Sequence, residues 1–421
     1  MAQKRSKKKA RRSPRPRPKS PVLDAGLQNI VRKLVRSADE LLEQDHPLAA
    51  ELWISHVVSM WESAYLIDED AEKLLGLGIV SAAADEAGTR GLALLTGLAA
   101  LAGPKVARRA AAEAERLRRS GVEPSSLADQ VGAARFVEAW TAEEAYGDGQ
   151  FVASTFVHDG WPPHSIGILI DHNLSSTAKD LLLADDPPML RASWETVPDV
   201  TLRRMTAQEA SSVISRGLEV EAMWMDSPAT EDLGMALPLL RSRLAALPPP
   251  EPVPRPEWTE KQRDALERDF ASSSNAAGLA PEAIEDVVFR IIDFSCDYGD
   301  GDPLRWSTLV VEIFMTDWLP RKALLQGPPQ QVPAVVRAWV RFAGRRRGVR
   351  ERLVDEAVAA VARWEQEFLE AVDDPDSFGP AKAIFKAMME DRIDLTDKGA
   401  MDAWIEDFNS RPEQERRKVL R

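Results

Sequence analysis

Apolar residues recur at intervals of three and four over most of the chain, which is the period of an amphipathic helix. Up to residue 120, this pattern predicts consecutive helices at about 22–44, 47–64, 70–87, 90–102 and 104–120. Short connections between consecutive helices favour antiparallel neighbours. We therefore predict a stacked helical domain, loosely similar to a pair of helical repeats, over residues 22–128.

The pattern changes near residue 133. Segments 134–146, 150–158 and 164–171 are short, rich in β-branched and aromatic residues, and separated by Gly-containing turns. This arrangement is typical of β-hairpins and predicts a three-stranded antiparallel meander. A helix at about 175–184, a short strand at 200–204 and a helix opened by a Thr206–Glu209 capping box are expected to follow. Together, residues 129–246 are predicted to form a small α+β domain.

Six prolines fall between Pro248 and Pro256, and such a segment is stiff and extended. We predict a linker at 247–257 that separates two independently folding halves. Helical periodicity returns beyond it, so residues 258–421 are predicted to be an all-α domain. The expected fold class is therefore mainly α.

Charge is distributed unevenly along the chain. The full sequence has a net charge of −13, but residues 1–21 hold ten Lys or Arg residues and no acid. The remaining 400 residues carry 44 basic and 67 acidic side chains, a net charge of −23. A body this acidic repels nucleic acid and anionic membranes as a whole. Attraction to phosphate must therefore come from local basic segments.

Residues 1–21 are the stronger of two such segments. They show no apolar periodicity and contain four prolines, so we predict a disordered basic tail with polyproline II character. Without aromatic side chains it would bind phosphate non-specifically. The candidate nucleic-acid-binding side chains are Lys7, Lys8, Lys9, Arg11 and Arg12. A solubilising role, a contact with the chain's own acidic body and an acidic protein partner are open alternatives.

The second basic segment, residues 321–352, has nine basic residues and one acid. Arg337, Arg341 and Arg345 are four apart and share one face of a helix predicted at 332–347. Such a stripe can follow phosphates. Alternatively, its arginines stabilise the helix C-terminus and pair with acidic surface elsewhere.

Cys296 is the only cysteine, so an internal disulfide is excluded and a reducing compartment is expected. No secretory signal is predicted, because the basic start is not followed by an apolar stretch. The longest apolar run, residues 92–102, is about half the length that a bilayer core requires. We expect a cytoplasmic protein without a membrane span.

Three of the five histidines, His158, His164 and His172, fall within fifteen residues and are candidate metal ligands. His158 and His164 flank a predicted turn, whereas His172 lies about 26 Å further along the same strand at 3.3 Å per residue. One metal ion therefore cannot bind all three unless the strand bends sharply.

The end of the segment SIGILID is a better candidate site. Asp171 and His172 end this predicted strand, and Asp180 lies just over one turn into the predicted helix. Sites cluster where a strand runs into a helix N-terminus. These three residues are the candidate catalytic or ligand-binding set, for a metal or an anion. In the alternative interpretation, Asn173 or Ser175 caps the helix and Asp171 accepts hydrogen bonds from backbone N–H groups.

Two segments resemble parts of uncharacterised bacterial proteins with the same order of helical N-terminal region, β-hairpin block and helical C-terminal domain. They are GDGQFVASTFVHDGWPPHSIGILIDHNLSSTAKDLLL and DPLRWSTLVVEIFMTDWLPRK. The resemblance covers most of the chain after residue 22. It implies this layout and no particular activity.

Three functions stay open. The first is a non-catalytic interaction or regulatory protein with a protein partner, whose tail associates with nucleic acid or an acidic surface. The second is a metal-assisted hydrolase with its site near residues 171–180. The third is a DNA-binding regulator that uses helix 332–347. No P-loop, G-x-S-x-G, H-E-x-x-H or C-x-x-C motif is present, so we favour the first.

Deletion of residues 1–21 should leave the melting temperature of the protein within about two degrees, because a segment without apolar residues contributes little to a core. Differential scanning calorimetry of the full-length and shortened proteins measures this. A decrease of several degrees would show that the tail packs on the folded body.

Overall fold

The computed structural model describes residues 25–62 and 72–419. The predicted basic tail, with all five of its candidate side chains, lies outside the described residues. Helices dominate the described part of the chain, and one five-stranded sheet accompanies them. The predicted mainly α fold with a small α+β region is confirmed. No helix within the described residues is both long and apolar enough to cross a membrane.

The N-terminal helices follow the predicted apolar periodicity. They are Ala25–Ser37 (α1), Asp39–Glu43 (α2), Pro47–Glu62 (α3), Leu77–Glu86 (α4), Thr89–Leu101 (α5) and Pro104–Arg119 (α6). Sequential neighbours α4, α5 and α6 pack on one another, and α3 packs on α5. Gly97 lies at the contact between α3 and α5, where an added Cβ would be 2.5 Å from Ile54 Cδ1. The small side chains of this region therefore allow close helix packing.

The sheet has five strands, which are the three of the predicted meander, the predicted short strand and one strand that was not predicted. They are Arg135–Glu144 (β1), Gly149–Val157 (β2), His164–Asp171 (β3), Thr177–Ala184 (β4) and Val200–Met205 (β5), in the order β4-β3-β2-β1-β5. β1 to β3 form the predicted meander, and β5 confirms the predicted short strand. β5 pairs antiparallel with β1, and β4 pairs antiparallel with β3.

The prediction of a helix at 175–184 is wrong, because these residues form β4. A short apolar run such as Leu181–Leu183 is compatible with either a helix or a buried strand, and pairing decides between them. Ile168 lies opposite Leu181 and Ile166 lies opposite Leu183. Hydrogen bonding to β3 therefore overrides the local helical signal.

The remaining helices include the one predicted after Thr206 and the one predicted at 332–347. They are Pro187–Glu195 (α7), Ala207–Glu221 (α8), Glu231–Ala245 (α9), Glu260–Ala271 (α10), Pro281–Asp293 (α11), Thr308–Glu312 (α12), Leu319–Lys322 (α13), Val332–Arg347 (α14), Glu351–Ala371 (α15), Pro380–Glu390 (α16), Lys398–Ser410 (α17) and Glu413–Val419 (α18). Capping boxes open α8 and α10. The helical ladder also contains π-helical turns at Phe294–Tyr298 and Ile313–Trp318.

Backbone contacts group the chain into two units. Among the described residues, the first comprises 25–62, 72–136, 156–163 and 231–246, and the second comprises 137–155, 164–230 and 247–419. In the first unit α9 packs on α3, where Ser55 Oγ donates to the carbonyl of Met235 at 2.8 Å. The domain bounds predicted from the sequence, 22–128, 129–246 and 258–421, stay a prediction.

The proline-rich segment, residues 248–256, has no regular secondary structure and is held within the second unit. Gln208 Nε2 donates to the carbonyl of Pro249 at 2.6 Å, and the backbone N–H of Glu251 donates to Ser212 Oγ at 2.9 Å. Because both side chains belong to α8, this segment runs as a strap along that helix, and we call it the proline strap. That it separates two independently folding halves stays a prediction.

A buried ionic cluster lies in the first unit. Glu51, His158 and Arg243 are each at most 2% exposed. Arg243 forms a bidentate ion pair with Glu51, and His158 Nε2 lies 3.2 Å from Glu51 Oε1. The backbone N–H of Gly132 donates to the same oxygen at 2.8 Å. A buried carboxylate needs this many donors, because removal from water is costly.

Replacement of Glu51 with Gln should lower the free energy of unfolding by about 3 kcal/mol, because buried Arg243 loses its counter-charge. Urea unfolding measures the loss. Glu115→Gln is the matched control, since it removes one partner of an exposed pair with Arg119 and should cost less than about 0.5 kcal/mol. Equal losses in the two variants would contradict the role given to the buried pair.

The same variant has an expected pH dependence. Burial alone would raise the pKa of Glu51, but hydrogen bonds from His158 and Arg243 outweigh it and lower that pKa from 4.5 to about 2. A carboxyl group whose pKa is lower in the folded than in the unfolded state stabilises the fold at pH values above its unfolded-state pKa. This stability is lost as the pH falls through its folded-state pKa. The wild-type protein should lose this contribution between pH 4.5 and about 2, and Glu51→Gln should lack that part of the acid dependence.

Candidate functional site

A cleft of about 150 Å³ opens in the second unit at the end of β3. The sheet, the turn after β3, α8, the proline strap and the loop after the Phe294–Tyr298 turn all contribute to its walls. The polar and charged residues that line it are Gln150, His172, Ser175, Ser176, Arg216, Arg255 and Asp300. One residue of the sequence-predicted set, His172, is among them.

A close approach of α8 to the sheet forms one side of the cleft. Gly217 lies on α8 where an added Cβ would be 2.6 Å from Ile170 Cδ1 and 3.2 Å from the backbone nitrogen of Ala178. Glycine therefore lets the helix lie directly on β3 and β4. As a result Val213 and Arg216, earlier on the same helix, reach the end of β3.

The turn between β3 and β4 is strained. Ser175 and Ser176 have φ angles of 59° and 65°, a left-handed conformation that is uncommon for serine and costs of order 1–3 kcal/mol per residue. The Asp171 carboxylate fixes the turn by accepting from the backbone N–H of Asn173 and from Lys179 Nζ, both at 3.0 Å. Strain that is held in place in this way is concentrated at binding and active sites.

His172 is half-buried at the start of this turn. Its backbone N–H donates to the carbonyl of Asp148 at 2.9 Å, and its Nδ1 lies 2.9 Å from Ser176 Oγ. Burial lowers the pKa of His172, and the positive charge of Arg305 lowers it further. The imidazole is therefore neutral near pH 7 and offers one donor and one acceptor.

Arg305 is a buried guanidinium behind the cleft, 5% exposed. Its Nη1 donates to Asp148 Oδ1 at 2.5 Å and to Asn173 Oδ1 at 2.8 Å, and its Nε donates to Asp300 Oδ2 at 2.6 Å. The backbone N–H of Asp302 donates to the other oxygen of Asp300. Both Asp300 oxygens are therefore occupied by hydrogen bonds.

Arg216 and Arg255 carry the positive charge of the cleft. Arg216 makes a loose exposed pair with Glu219, at 3.6 Å. Arg255 belongs to the proline strap, and its Nη2 donates to the carbonyls of Cys296 and Gly299 at 2.7 and 2.8 Å. The hydrogen bond from Arg263 and, to a lesser extent, the charge of Arg255 lower the pKa of Asp297, so this carboxylate lies within electrostatic reach of Arg255 while it is paired with Arg263. Two guanidinium groups thus keep donor capacity for an anion.

The structure does not bring the predicted trio Asp171, His172 and Asp180 together. Asp180 lies on β4, where its carboxylate accepts hydrogen bonds from Thr230 Oγ1 at 2.7 Å and from the backbone N–H of Leu181 at 2.9 Å. Asp171 is bound to Lys179 and to the turn. Only His172 lines the cleft. The separation follows from β4 taking the place of the predicted helix.

The three candidate metal ligands have different surroundings. His158 is buried against Glu51 in the first unit, His164 is buried at the start of β3, and His172 lies in the cleft. Among the residues that the structure describes, no three or more His, Cys, Asp or Glu side chains are grouped as a metal ion would require.

The arginines of α14 mostly contact the chain's own side chains. Arg337 pairs with Glu365 at 2.8 Å, Arg346 pairs with Asp269 at 2.8 Å, and Arg345 donates to Asn275 at 3.3 Å. Arg341 is exposed. This arrangement matches the alternative in which the basic helix is neutralised by acidic surface.

Sequence reasoning did not identify Arg216, Arg255 or Arg305. Arg216 follows no motif on an ordinary amphipathic helix, and Arg255 lies in a segment predicted to be a spacer. Arg305 lies 157 residues from Asp148 and 132 from Asn173. The one signal in the sequence was the acidic segment beside Arg305, which includes its acceptor Asp300. That segment alone does not show that Arg305 is buried.

Comparison with protein-family models, curated protein sequences and solved structures finds no match to this chain. The geometry of the cleft and the charge of the chain therefore have to support any functional proposal.

Proposed function

We propose that this chain is a non-catalytic regulatory protein whose cleft at the end of β3 binds a small anion. The observation that supports it is the pair of guanidinium groups, Arg216 and Arg255, beside a neutral His172 in one concave site. Concave sites with a few convergent polar groups are the usual place for small ligands.

The placement of the carboxylates favours binding over hydrolysis. A metal-assisted hydrolase needs carboxylate and imidazole ligands around one ion. Here Asp171 and Asp180 are each engaged by other partners, and Asp300 is held by Arg305. The cleft instead presents mainly hydrogen-bond donors.

Small anions should stabilise the wild-type protein through Arg216. With inorganic phosphate, sulfate and short carboxylates at constant ionic strength, an anion present at ten times its Kd adds about 1.4 kcal/mol of stability. That corresponds to a rise of a few degrees in melting temperature, which differential scanning fluorimetry detects.

Arg216→Ala should abolish the rise, and Arg191→Ala should keep it. The two arginines match, because each makes one exposed pair with a glutamate on its own helix and only Arg216 lines the cleft. The proposal fails if no anion shifts the wild-type melt or if Arg216→Ala responds as the wild type does.

The basic tail supports a second, separate proposal. Ten basic residues and no acid in residues 1–21, joined to a body of net charge −23, favour association with nucleic acid or with an acidic protein surface. We propose a cytoplasmic location, which the single buried cysteine, Cys296, supports. The helix α14 is a poorer DNA-binding candidate, since most of its arginines are already paired.

Binding to double-stranded DNA should fall linearly with the logarithm of salt concentration and disappear when residues 1–21 are deleted. The Arg337→Ala, Arg341→Ala, Arg345→Ala triple variant should bind as the wild type does. Fluorescence anisotropy at several salt concentrations measures both. Binding that survives the deletion and is lost in the triple variant would transfer the role to α14.

A further inference from the structure

We infer that the ligand of the cleft is a small amphiphilic monocarboxylate, which is a more specific claim that rests on the anion-binding function proposed above. Its carboxylate binds Arg216 and Arg255, and its short hydrocarbon chain contacts the apolar part of the lining. Three features of the cleft lead to this class of ligand: its charge, its lining and its volume.

The charged lining favours one negative charge on the ligand. Arg216 and Arg255 contribute two positive charges. Behind them, Asp148 and Asp300 carry two negative charges against the one positive charge of Arg305, which leaves one negative charge. A singly charged ligand balances this set. A dianion such as phosphate would place its second charge near Asp300, whose repulsion is strong in a partly enclosed site.

The neutral imidazole of His172 fits a carboxylate as well. When the Ser176 hydroxyl donates to Nδ1, the proton of the neutral ring is on Nε2, and this nitrogen becomes a donor. A neutral donor binds a carboxylate oxygen without adding a third positive charge to the cleft. Arg216, Arg255 and His172 together then supply the hydrogen-bond donors for one carboxylate.

The rest of the lining is hydrocarbon. The apolar lining residues are Ile170, Val213, Val253, Pro254 and Pro256. Ile170 is held rigidly in β3 at 1% exposure, and the prolines belong to the strap tied to α8. An inorganic anion leaves this surface wet, whereas a hydrocarbon chain buries it. Each buried methylene strengthens binding about fourfold.

The volume of the cleft limits the length of the ligand's hydrocarbon chain. A cavity of about 150 Å³ accommodates a molecule the size of benzene. A ligand of about six to eight non-hydrogen atoms fills such a space, which corresponds to a carboxylate of about four to six carbons. Longer chains must extend into solvent or displace the strap.

The test is calorimetric titration of the full-length protein with the straight-chain carboxylates from acetate to octanoate, with 1-hexanol and inorganic phosphate as comparisons. Affinity should rise about fourfold per methylene up to butyrate or hexanoate and then level off or fall. Phosphate and 1-hexanol should each bind at least about tenfold more weakly than hexanoate, because phosphate has no hydrocarbon chain and 1-hexanol has no carboxylate.

Val253→Ser tests the apolar lining, and Val197→Ser is its matched control. The two valines are 42% and 40% exposed, and Val197 does not line the cleft. Val253→Ser should weaken hexanoate binding several-fold and leave acetate binding unchanged, whereas Val197→Ser should change neither.

The outcomes distinguish the monocarboxylate inference from the anion-binding function on which it rests. If phosphate and all carboxylates bind equally through Arg216, the monocarboxylate class is wrong and the anion site stands. If 1-hexanol binds as tightly as hexanoate, or if no anion binds, both are wrong. If the affinity of Val253→Ser still rises with the length of the carboxylate as it does in the wild type, the placement of the ligand's hydrocarbon chain on the proline strap is overturned.

Discussion

The buried guanidinium of Arg305 is the interaction on which the geometry of the cleft depends. It bonds to Asp148 before β2, to Asn173 in the turn after β3 and to Asp300 after the π-helical turn. Removal of an arginine from water is costly unless acceptors surround it, so all three segments have to stay in reach of one side chain. The distances between the walls of the cleft are fixed by that requirement.

Several local features become understandable from this constraint. The left-handed conformations of Ser175 and Ser176 cost free energy, and they persist because contacts on both sides of the turn leave the chain no alternative path. The π-helical turn at Phe294–Tyr298 inserts an extra residue into the helical ladder and sets where Gly299 and Asp300 emerge from it. Burial lowers the pKa of His172 and Arg305 lowers it further, so the group that shapes the cleft also favours the neutral form of its imidazole.

Local signals in the sequence predicted much of the fold and little of the site. The Thr206 capping box, the hairpin turns and the apolar periodicity of the helices depend on residues within a few positions of one another, and the structure contains them as predicted. β4 was missed because its strand character comes from pairing with β3. Arg305 was missed for the same kind of reason, since two of its three acceptors, Asp148 and Asn173, are distant in sequence.

An anion site in so acidic a chain requires that local charge differ in sign from total charge. At physiological ionic strength charges are screened over about 8 Å, so groups near the cleft outweigh the net −23 of residues 22–421. There Arg305 offsets one of the two negative charges of Asp148 and Asp300, and Arg255 donates hydrogen bonds to the carbonyls of Cys296 and Gly299. With Arg216 included, these groups sum to one positive charge. The long-range field repels large polyanions, and the local charge of the cleft acts on a small, singly charged molecule once it comes within the screening length. We propose that this combination makes the folded body selective for small anions and leaves polyanion binding to the basic tail.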